Sequence, residues 1–239
     1  MAYNYFGGRL LKLGVSGDDV TVLQTLLNKL PSSIANPVTV DGVFGSATDA
    51  SVKKFQTYFG LSADGVVGKN TFLYFGQRTS AFLPSGSSPF GSRTLKKGMS
   101  GTDVWVLQNR LNGDLKKYAA ALGMPADSQF GSKTQAGVKL FQADNSLSQD
   151  GVVGQQTFNK LFVKTNYGGR LLQKDRTDRN QGFDVYFLQD RLKTLGYYTG
   201  ALDGKFGAET ETAVKALQTA AKISVDGVVG PATYYHLGV

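Results

Sequence analysis

The pentapeptide Asp-Gly-Val-Val-Gly occupies residues 64–68, and the same five letters recur at 150–154 and 226–230. Each copy is followed, after two intervening residues, by a threonine: Thr71, Thr157 and Thr233. An aspartate side chain accepts a hydrogen bond from the backbone two residues on, and glycine adopts positive φ angles without steric cost. The pentapeptide therefore predicts a tight turn that leads into a helix, at three places in one chain.

Three further motifs precede each turn in a constant order. They are Asp-Val-x-x-Leu-Gln, Phe-Gly-x-x-Thr and Val-Lys-x-(Phe/Leu)-Gln, which begin at Asp19, Phe44 and Val52, at Asp103, Phe130 and Val138, and at Asp184, Phe206 and Val214. Such self-similarity identifies internal repeats. We assign them to residues 7–76, 90–162 and 167–239. Residues 1–6 form an N-terminal arm, residues 77–89 a linker rich in Ser, Gly and Pro, and residues 163–166 a short linker that leaves repeats two and three packed together.

Each repeat is predicted to contain three short helices. Apolar residues recur at helical spacing in the first of them, as at Val20, Leu23 and Leu27. A capping box is expected at its start, with Ser16 as the cap and Asp19 three residues later. The second and third helices are expected to begin directly after glycines. The prediction is an all-α fold of three tandem three-helix domains, each with its own compact core.

Composition excludes several classes of protein. The chain has no cysteine and a single histidine, His236, so disulfides, thiolate nucleophiles and Cys-ligated metals are absent. No stretch is long and apolar enough to predict membrane insertion. The net charge is +8, but the basic residues are scattered rather than clustered, which argues against nucleic acid as a partner. The charge suits an anionic polymer.

In these motifs the chain resembles the bacterial peptidoglycan-binding domain, a three-helix module found beside many cell-wall hydrolases. The resemblance covers nearly the whole length and is strongest in repeat three, around Leu195–Gly207. It implies an all-α fold and recognition of the glycan or the stem peptide of the wall. Peptidoglycan or a muropeptide is then the expected partner.

No catalytic constellation is visible in the sequence. The three repeats leave no room for a separate catalytic domain, and no Gly-x-Ser-x-Gly elbow accompanies His236. A metal hydrolase would need a His/Asp/Glu cluster with ligand spacing, and a turn or cap already occupies each motif aspartate. We expect a protein that is not an enzyme, with no metal, no cofactor and no catalytic residue.

Two kinds of residue are candidates for ligand binding. Carboxylates at the loop between the first and second helices, and aromatic residues off the apolar stripe, suit hydroxyl groups and sugar rings. The candidates are Asp41, Asp127 and Asp203 together with Trp105, Tyr186, Tyr197 and Tyr198. For each aromatic residue, packing between helices and self-association remain alternatives.

The alternative function is a self-assembling subunit of an extracellular filament, appendage or spore or envelope layer. Head-to-tail contacts that do not close produce open filaments. The arm, with Tyr3, Tyr5 and Phe6, would dock on a neighbour's third helix near Tyr234 and Tyr235, forming a homopolymer. Under both functions we expect the bacterial cell envelope or the extracellular space. The first fourteen residues lack a signal-peptide pattern, which leaves the export route open.

Overall fold

The helices that follow the Phe-Gly motif and the Asp-Gly-Val-Val-Gly motif begin directly after the glycine, as the sequence predicts. The computed structural model describes residues 4–238. Repeat one contains α1 (Asp18–Leu27), α2 (Ser46–Tyr58) and α3 (Lys69–Tyr74). Repeat two contains α4 (Thr102–Asp114), α5 (Lys116–Leu122), α6 (Ser132–Asp144) and α7 (Gln155–Lys164). Repeat three contains α8 (Phe183–Thr194), α9 (Ala208–Ala220) and α10 (Pro231–Gly238). The all-α prediction is confirmed.

Repeat two departs from the predicted three helices. An extra helix, α5, follows α4 after a single extended residue, Leu115. Tyr118 and Leu122 on α5 are buried, and Leu122 packs beside Gly137 of α6, where any larger side chain would collide with it. The prediction of three helices is therefore wrong for this repeat, because apolar residues in the loop after α4 cover the side of α6.

The predicted capping box is not formed. The residue before α1 is Gly17, and it makes no side-chain capping bond. Asp19 instead accepts two hydrogen bonds from the guanidinium of Arg9, at 2.7 and 2.9 Å, while Arg9 also donates to the backbone oxygen of Ser16. Equivalent pairs join Arg93 to Asp103 and Arg170 to Asp184. The aspartate of this motif therefore ties the opening segment of each repeat to its first helix.

Two isolated β-bridges close the loops of every repeat at equivalent places. In repeat one they pair Leu11 with Val67 and Ser16 with Val43. The corresponding pairs are Leu95 with Val153, Ser100 with Gln129, Leu172 with Val229, and Gln181 with Lys205. The bridges lie at equivalent places in the three repeats, beside the two aspartate turns of each repeat, the first of which is Asp127-Ser128 in repeat two.

Repeats one and two share one hydrophobic core, which corrects the expectation of three separate cores. A continuous cluster runs from Phe6 and Leu23 through Phe90 and Phe141 and reaches Phe183 of repeat three. The rest of the repeat-three core forms its own cluster. The linker does not separate repeats one and two either, since Gln77 is buried and its Nε2 donates to the backbone oxygen of Phe90 at 3.0 Å.

Phe6 is part of this shared core, which contradicts its predicted role in self-association. Its ring is 1% exposed. It makes edge-to-face contacts with Phe72 of repeat one and with Phe162 of repeat two, at centroid distances of 5.0 and 5.6 Å. The ring fills the space between two repeats of its own chain, so it is not available to a neighbouring molecule.

Each repeat contacts both of the others. Helix α1 packs on α7 and helix α4 packs on α10, so the prediction that repeats two and three associate is confirmed. At the latter contact a side chain on Gly238 would lie 1.7 Å from the backbone oxygen of Asn112. Repeat three also contacts repeat one, since the hydroxyl of Tyr58 in repeat one donates to the backbone oxygen of Asp203 in repeat three at 3.1 Å. The three repeats therefore form a closed arrangement.

Candidate functional site

A buried glutamine organises the turn that the sequence identified. In repeat one, Gln56 Nε2 donates to Asp64 Oδ1 at 2.9 Å, to the backbone oxygen of Val66 and to Thr71 Oγ1. The backbone N–H of Gly65 donates to Gln56 Oε1 at 2.9 Å. A buried amide is costly unless its hydrogen bonds are made, and here both ends of the amide are satisfied. We call this set of contacts the glutamine clamp.

The clamp occurs twice in every repeat. Its Gln, Asp and Thr members are 24, 41 and 48; 56, 64 and 71; 108, 127 and 134; 142, 150 and 157; 189, 203 and 210; and 218, 226 and 233. The sequence carries the signal, because a glutamine ends both helix motifs. We missed its role because a motif does not show which side chain its glutamine meets.

The clamps hold several of these carboxylates in the charged form. Hydrogen bonds lower the pKa of Asp64, first from the backbone N–H of Val66 and then from Gln56. The pKa of Asp41 is lowered in the same way, first by Gln24 and then by the N–H of Val43. The pKa of Asp150 is lowered too, and the hydrogen bond from the backbone N–H of Val152 is the leading cause.

Acid is therefore expected to loosen the fold. A pKa that is lower in the folded protein contributes stability above its ordinary value of 3.8, and that stability is lost as the pH falls through the folded value. We expect the contribution of the clamp aspartates to appear as a fall in the urea unfolding midpoint below about pH 4. Asp64→Asn should reduce this loss of stability at acid pH, because asparagine does not titrate. An equal loss in the variant would contradict the assignment of the effect to Asp64.

A groove lies beside the second clamp in repeats one and two. In repeat one its volume is about 280 Å³, and its lining includes Leu61, Ser62, Asp64, Lys69 and Asn70. In repeat two its volume is about 370 Å³, and the lining includes the equivalent residues Leu147, Ser148, Asp150, Gln155 and Gln156. Hydroxyl, carboxylate and amide groups therefore line both grooves beside apolar side chains.

Repeat three differs at this groove. Pro231 and Ala232 stand where repeat one has Lys69 and Asn70, so two polar side chains of the rim are replaced by apolar ones. A different cleft of about 340 Å³ lies at the far ends of its helices, lined by Leu195, Tyr197 and His236 among others. Of the predicted aromatic candidates, Tyr197 lies in this cleft, and His236 is half-buried there.

The other predicted ligand residues are dispersed. Asp41, Asp127 and Asp203 each belong to the first clamp of a different repeat. Trp105 and Tyr186 are half-buried and pack against the shared core. Tyr198 is a structural residue, which corrects its ligand role: it is 6% exposed, and its hydroxyl donates to the backbone oxygen of Ala201 at 2.8 Å.

The predicted self-association residues differ in how far they are buried. Tyr234 is fully buried, its ring stacks on Tyr167, and its hydroxyl donates to the backbone oxygen of Arg170 at 2.6 Å. That burial corrects its assignment to an intermolecular contact. Tyr235 is half-buried against His236, and Tyr5 is half-buried beside Gly8 and Gly91. Tyr3 lies outside the described residues.

Charged side chains from all three repeats converge on Asp114, away from the grooves. Burial raises the pKa of Asp114 to about 6, against the opposing effects of Lys29 and Arg191. Burial also lowers the pKa of Lys29 to about 8, and its ammonium donates to Asn166 Oδ1 at 2.5 Å. These groups lie where the repeats meet, and sequence reasoning did not find them because they are far apart in the chain.

Two classes of feature are absent from the part of the chain that the structure describes. Within residues 4–238 there is no group of three or more His, Cys, Asp or Glu side chains arranged to hold a metal ion. None of the helices in that range combines the length and the apolar character that crossing a membrane requires.

Comparison with known proteins identifies the family. The sequence model described as "Putative peptidoglycan binding domain" matches residues 16–73, 100–161 and 181–237, which together make up most of the chain. These segments contain all six clamps. The chain belongs to this peptidoglycan-binding domain family, in three tandem copies, as the sequence motifs predicted.

Similar curated proteins include hydrolases of the bacterial cell wall. The chain is 37% identical over 105 residues to N-acetylmuramoyl-L-alanine amidase CwlM of Mycobacterium tuberculosis, a match that covers 44% of this chain and 26% of the relative. It is 29% identical over 193 residues to a probable N-acetylmuramoyl-L-alanine amidase of Bacillus licheniformis, covering 73% of this chain and 51% of the relative. The chain thus spans at most about half the length of these relatives.

Among solved structures, the N-terminal domain of SleB is 38% identical over 28% of this chain and 88% of that chain, with a TM-score of 0.26. A peptidoglycan-binding protein of Clostridioides difficile is also 38% identical, over 29% of this chain and 40% of that chain, again with a TM-score of 0.26.

Proposed function

We propose that this chain is a non-catalytic cell-wall binding protein that presents three peptidoglycan-binding modules in one fixed arrangement. The observation that carries the proposal is the pair of equivalent grooves in repeats one and two, each built on a clamp that lies within a match to the family. The ligand is peptidoglycan or a muropeptide, and the place of action is the bacterial cell envelope or the extracellular space.

The closed arrangement of the repeats supports binding to a polymer. Contacts between α1 and α7 and between α4 and α10 hold the modules at set distances. Joined sites increase overall affinity by about 10²–10⁴ when their geometry allows simultaneous contact. Weak single grooves would therefore suffice for retention on a wall with many repeated units.

The absence of catalysis is part of the proposal. The matches to the amidases fall on the peptidoglycan-binding segments, and those segments make up most of this chain. One oxygen of each clamp aspartate already accepts hydrogen bonds, for example from Gln56 and from the N–H of Val66. The filament alternative loses support, because two of its contact residues, Phe6 and Tyr234, are buried within their own chain.

Binding to purified sacculi at low salt tests the function. We expect the full chain to sediment with sacculi and to release no reducing ends, amines or soluble muropeptides from them. Asn70→Trp and Gln156→Trp, at exposed and equivalent positions, should block the grooves. The double variant should lose about 10²-fold in affinity, and each single variant less.

Thr219→Trp, an equal enlargement on the exposed surface of α9, is the matched control and should bind as the parent does. Unchanged thermal unfolding would show that the variants remain folded. A parent chain that stays in the supernatant, or a double variant that binds like the parent, would contradict the proposal. Release of soluble fragments by a pure sample would contradict its non-catalytic part.

A further inference from the structure

We propose that Asp18 of repeat one orients the side chain of Gln155 in repeat two, and that this makes the repeat-two groove selective for an ammonium group of its ligand. The equivalent groove of repeat one, with Lys69 at that position, instead selects a carboxylate. The inference rests on the proposed function and assigns to each groove a different charged group of the peptide part of peptidoglycan.

The contact crosses the boundary between two repeats. Asp18 begins α1 and Gln155 begins α7, two helices that pack together. Gln155 Nε2 donates to Asp18 Oδ2 at 2.8 Å, and Asn159 Nδ2 donates to the same oxygen at 3.2 Å. A residue that lines the groove of repeat two is therefore held by repeat one.

This contact decides which end of the glutamine amide remains for a ligand. An ionised carboxylate only accepts hydrogen bonds, so Asp18 holds the NH₂ group of Gln155 rather than its carbonyl oxygen. Within residues 4–238, no group donates a hydrogen bond to Gln155 Oε1. The exposed side chain thus offers the groove a hydrogen-bond acceptor.

A second acceptor lies in the same groove. Asp150 Oδ1 accepts hydrogen bonds from Gln142 and from the N–H of Val152, at 2.8 Å each, whereas Oδ2 has no such partner in the described range. An ammonium group carries three donors and no acceptor, so it can satisfy both Gln155 and Asp150. A ligand carboxylate would meet two acceptors there and would bind less well than an ammonium group.

Repeat one has the opposite preference at the equivalent place. Lys69 occupies the position of Gln155 and lines the groove together with Asp64. Its ammonium favours a carboxylate or a carbonyl oxygen. A lysine near the groove lowers the pKa of the groove aspartate in both repeats: Lys53 in repeat one and Lys139 in repeat two. This lysine therefore does not distinguish the two grooves. The difference between the grooves depends on Lys69, Gln155 and Asp18.

The test uses the full chain and one purified muropeptide that carries a free primary amine, before and after acetylation of that amine. Backbone NMR shifts of Gly151 and Val152 report on the repeat-two groove, and those of Gly65 and Val66 report on the repeat-one groove. Acetylation should weaken binding about tenfold at repeat two, as expected for hydrogen bonds to a charged group, and should leave repeat one unchanged.

Asp18→Asn should reduce the tenfold preference to about twofold, because asparagine can donate as well as accept and no longer fixes the glutamine amide. Asp18→Glu should restore the preference, which a purely structural role would not predict. Lys69→Gln is the matched variant and should weaken binding at repeat one to muropeptides with a free carboxylate.

Two results would overturn the inference, and they differ in what they mean for the function. If acetylation affects both grooves equally, or neither, while binding persists, the charge selection is wrong and wall binding stands. If no muropeptide shifts either groove and the chain does not sediment with sacculi, the proposed function fails as well.

Discussion

Replacing Arg170 by methionine is expected to lower the free energy of unfolding by about 3–5 kcal/mol, the usual cost of removing one partner from a buried ion pair. The Arg170 side chain is 2% exposed and that of Asp184 is 0% exposed. The guanidinium donates to both carboxylate oxygens at 2.7 Å and to the backbone oxygens of Asp178 and Gln181. Without it, Asp184 would be left as a buried charge that has lost its ion-pair partner.

Arg9→Met provides the matched control. Arg9 makes the equivalent pair with Asp19, but its side chain is 34% exposed. Water can replace part of the lost contact there, so we expect a smaller loss of about 1–2 kcal/mol. Urea unfolding at neutral pH, with equal m-values for the two variants, measures both. If both variants lost the same free energy of unfolding, burial would not explain the strength of the Arg170–Asp184 ion pair.

Replacing Phe6 by alanine should destabilise the protein by about 3–5 kcal/mol, the range for a phenylalanine removed from a packed core. The ring contacts Phe72, Phe75 and Phe162, so the cavity would open between repeats one and two. Tyr5→Ala, at a half-buried neighbour, should cost about 1 kcal/mol or less. Calorimetry of the three proteins measures the difference.

This outcome would oppose the hypothesis drawn from the sequence alone. If the arm served only intermolecular contacts, removal of residues 1–6 would leave the melting of the monomer unchanged and abolish assembly. The structure predicts lower stability of the monomer instead. Sedimentation velocity of the truncated chain would separate the two, and a truncated chain that melts with the parent would restore the arm hypothesis.

Local motifs determined much of the protein. The Asp-Gly turns, the glycines at the helix starts and the apolar spacing act within about 20 residues, so the sequence alone predicted the all-α class, the three repeats and the family. It also placed the aspartate of each Asp-Gly-Val-Val-Gly turn in a structural role. Asp64 shows why, because its bonds to Val66 and Gln56 are made within one turn and the adjacent helix.

Long-range packing decided the rest. Phe6 and Phe162 are far apart in the sequence, and only the closed arrangement of the repeats buries one against the other. Gln155 meets Asp18 for the same reason, since a surface residue acquires its partner from a different repeat. Periodicity records which face of a helix is apolar, not which element covers it. The shared core and the orientation of Gln155 therefore depend on the tertiary structure alone.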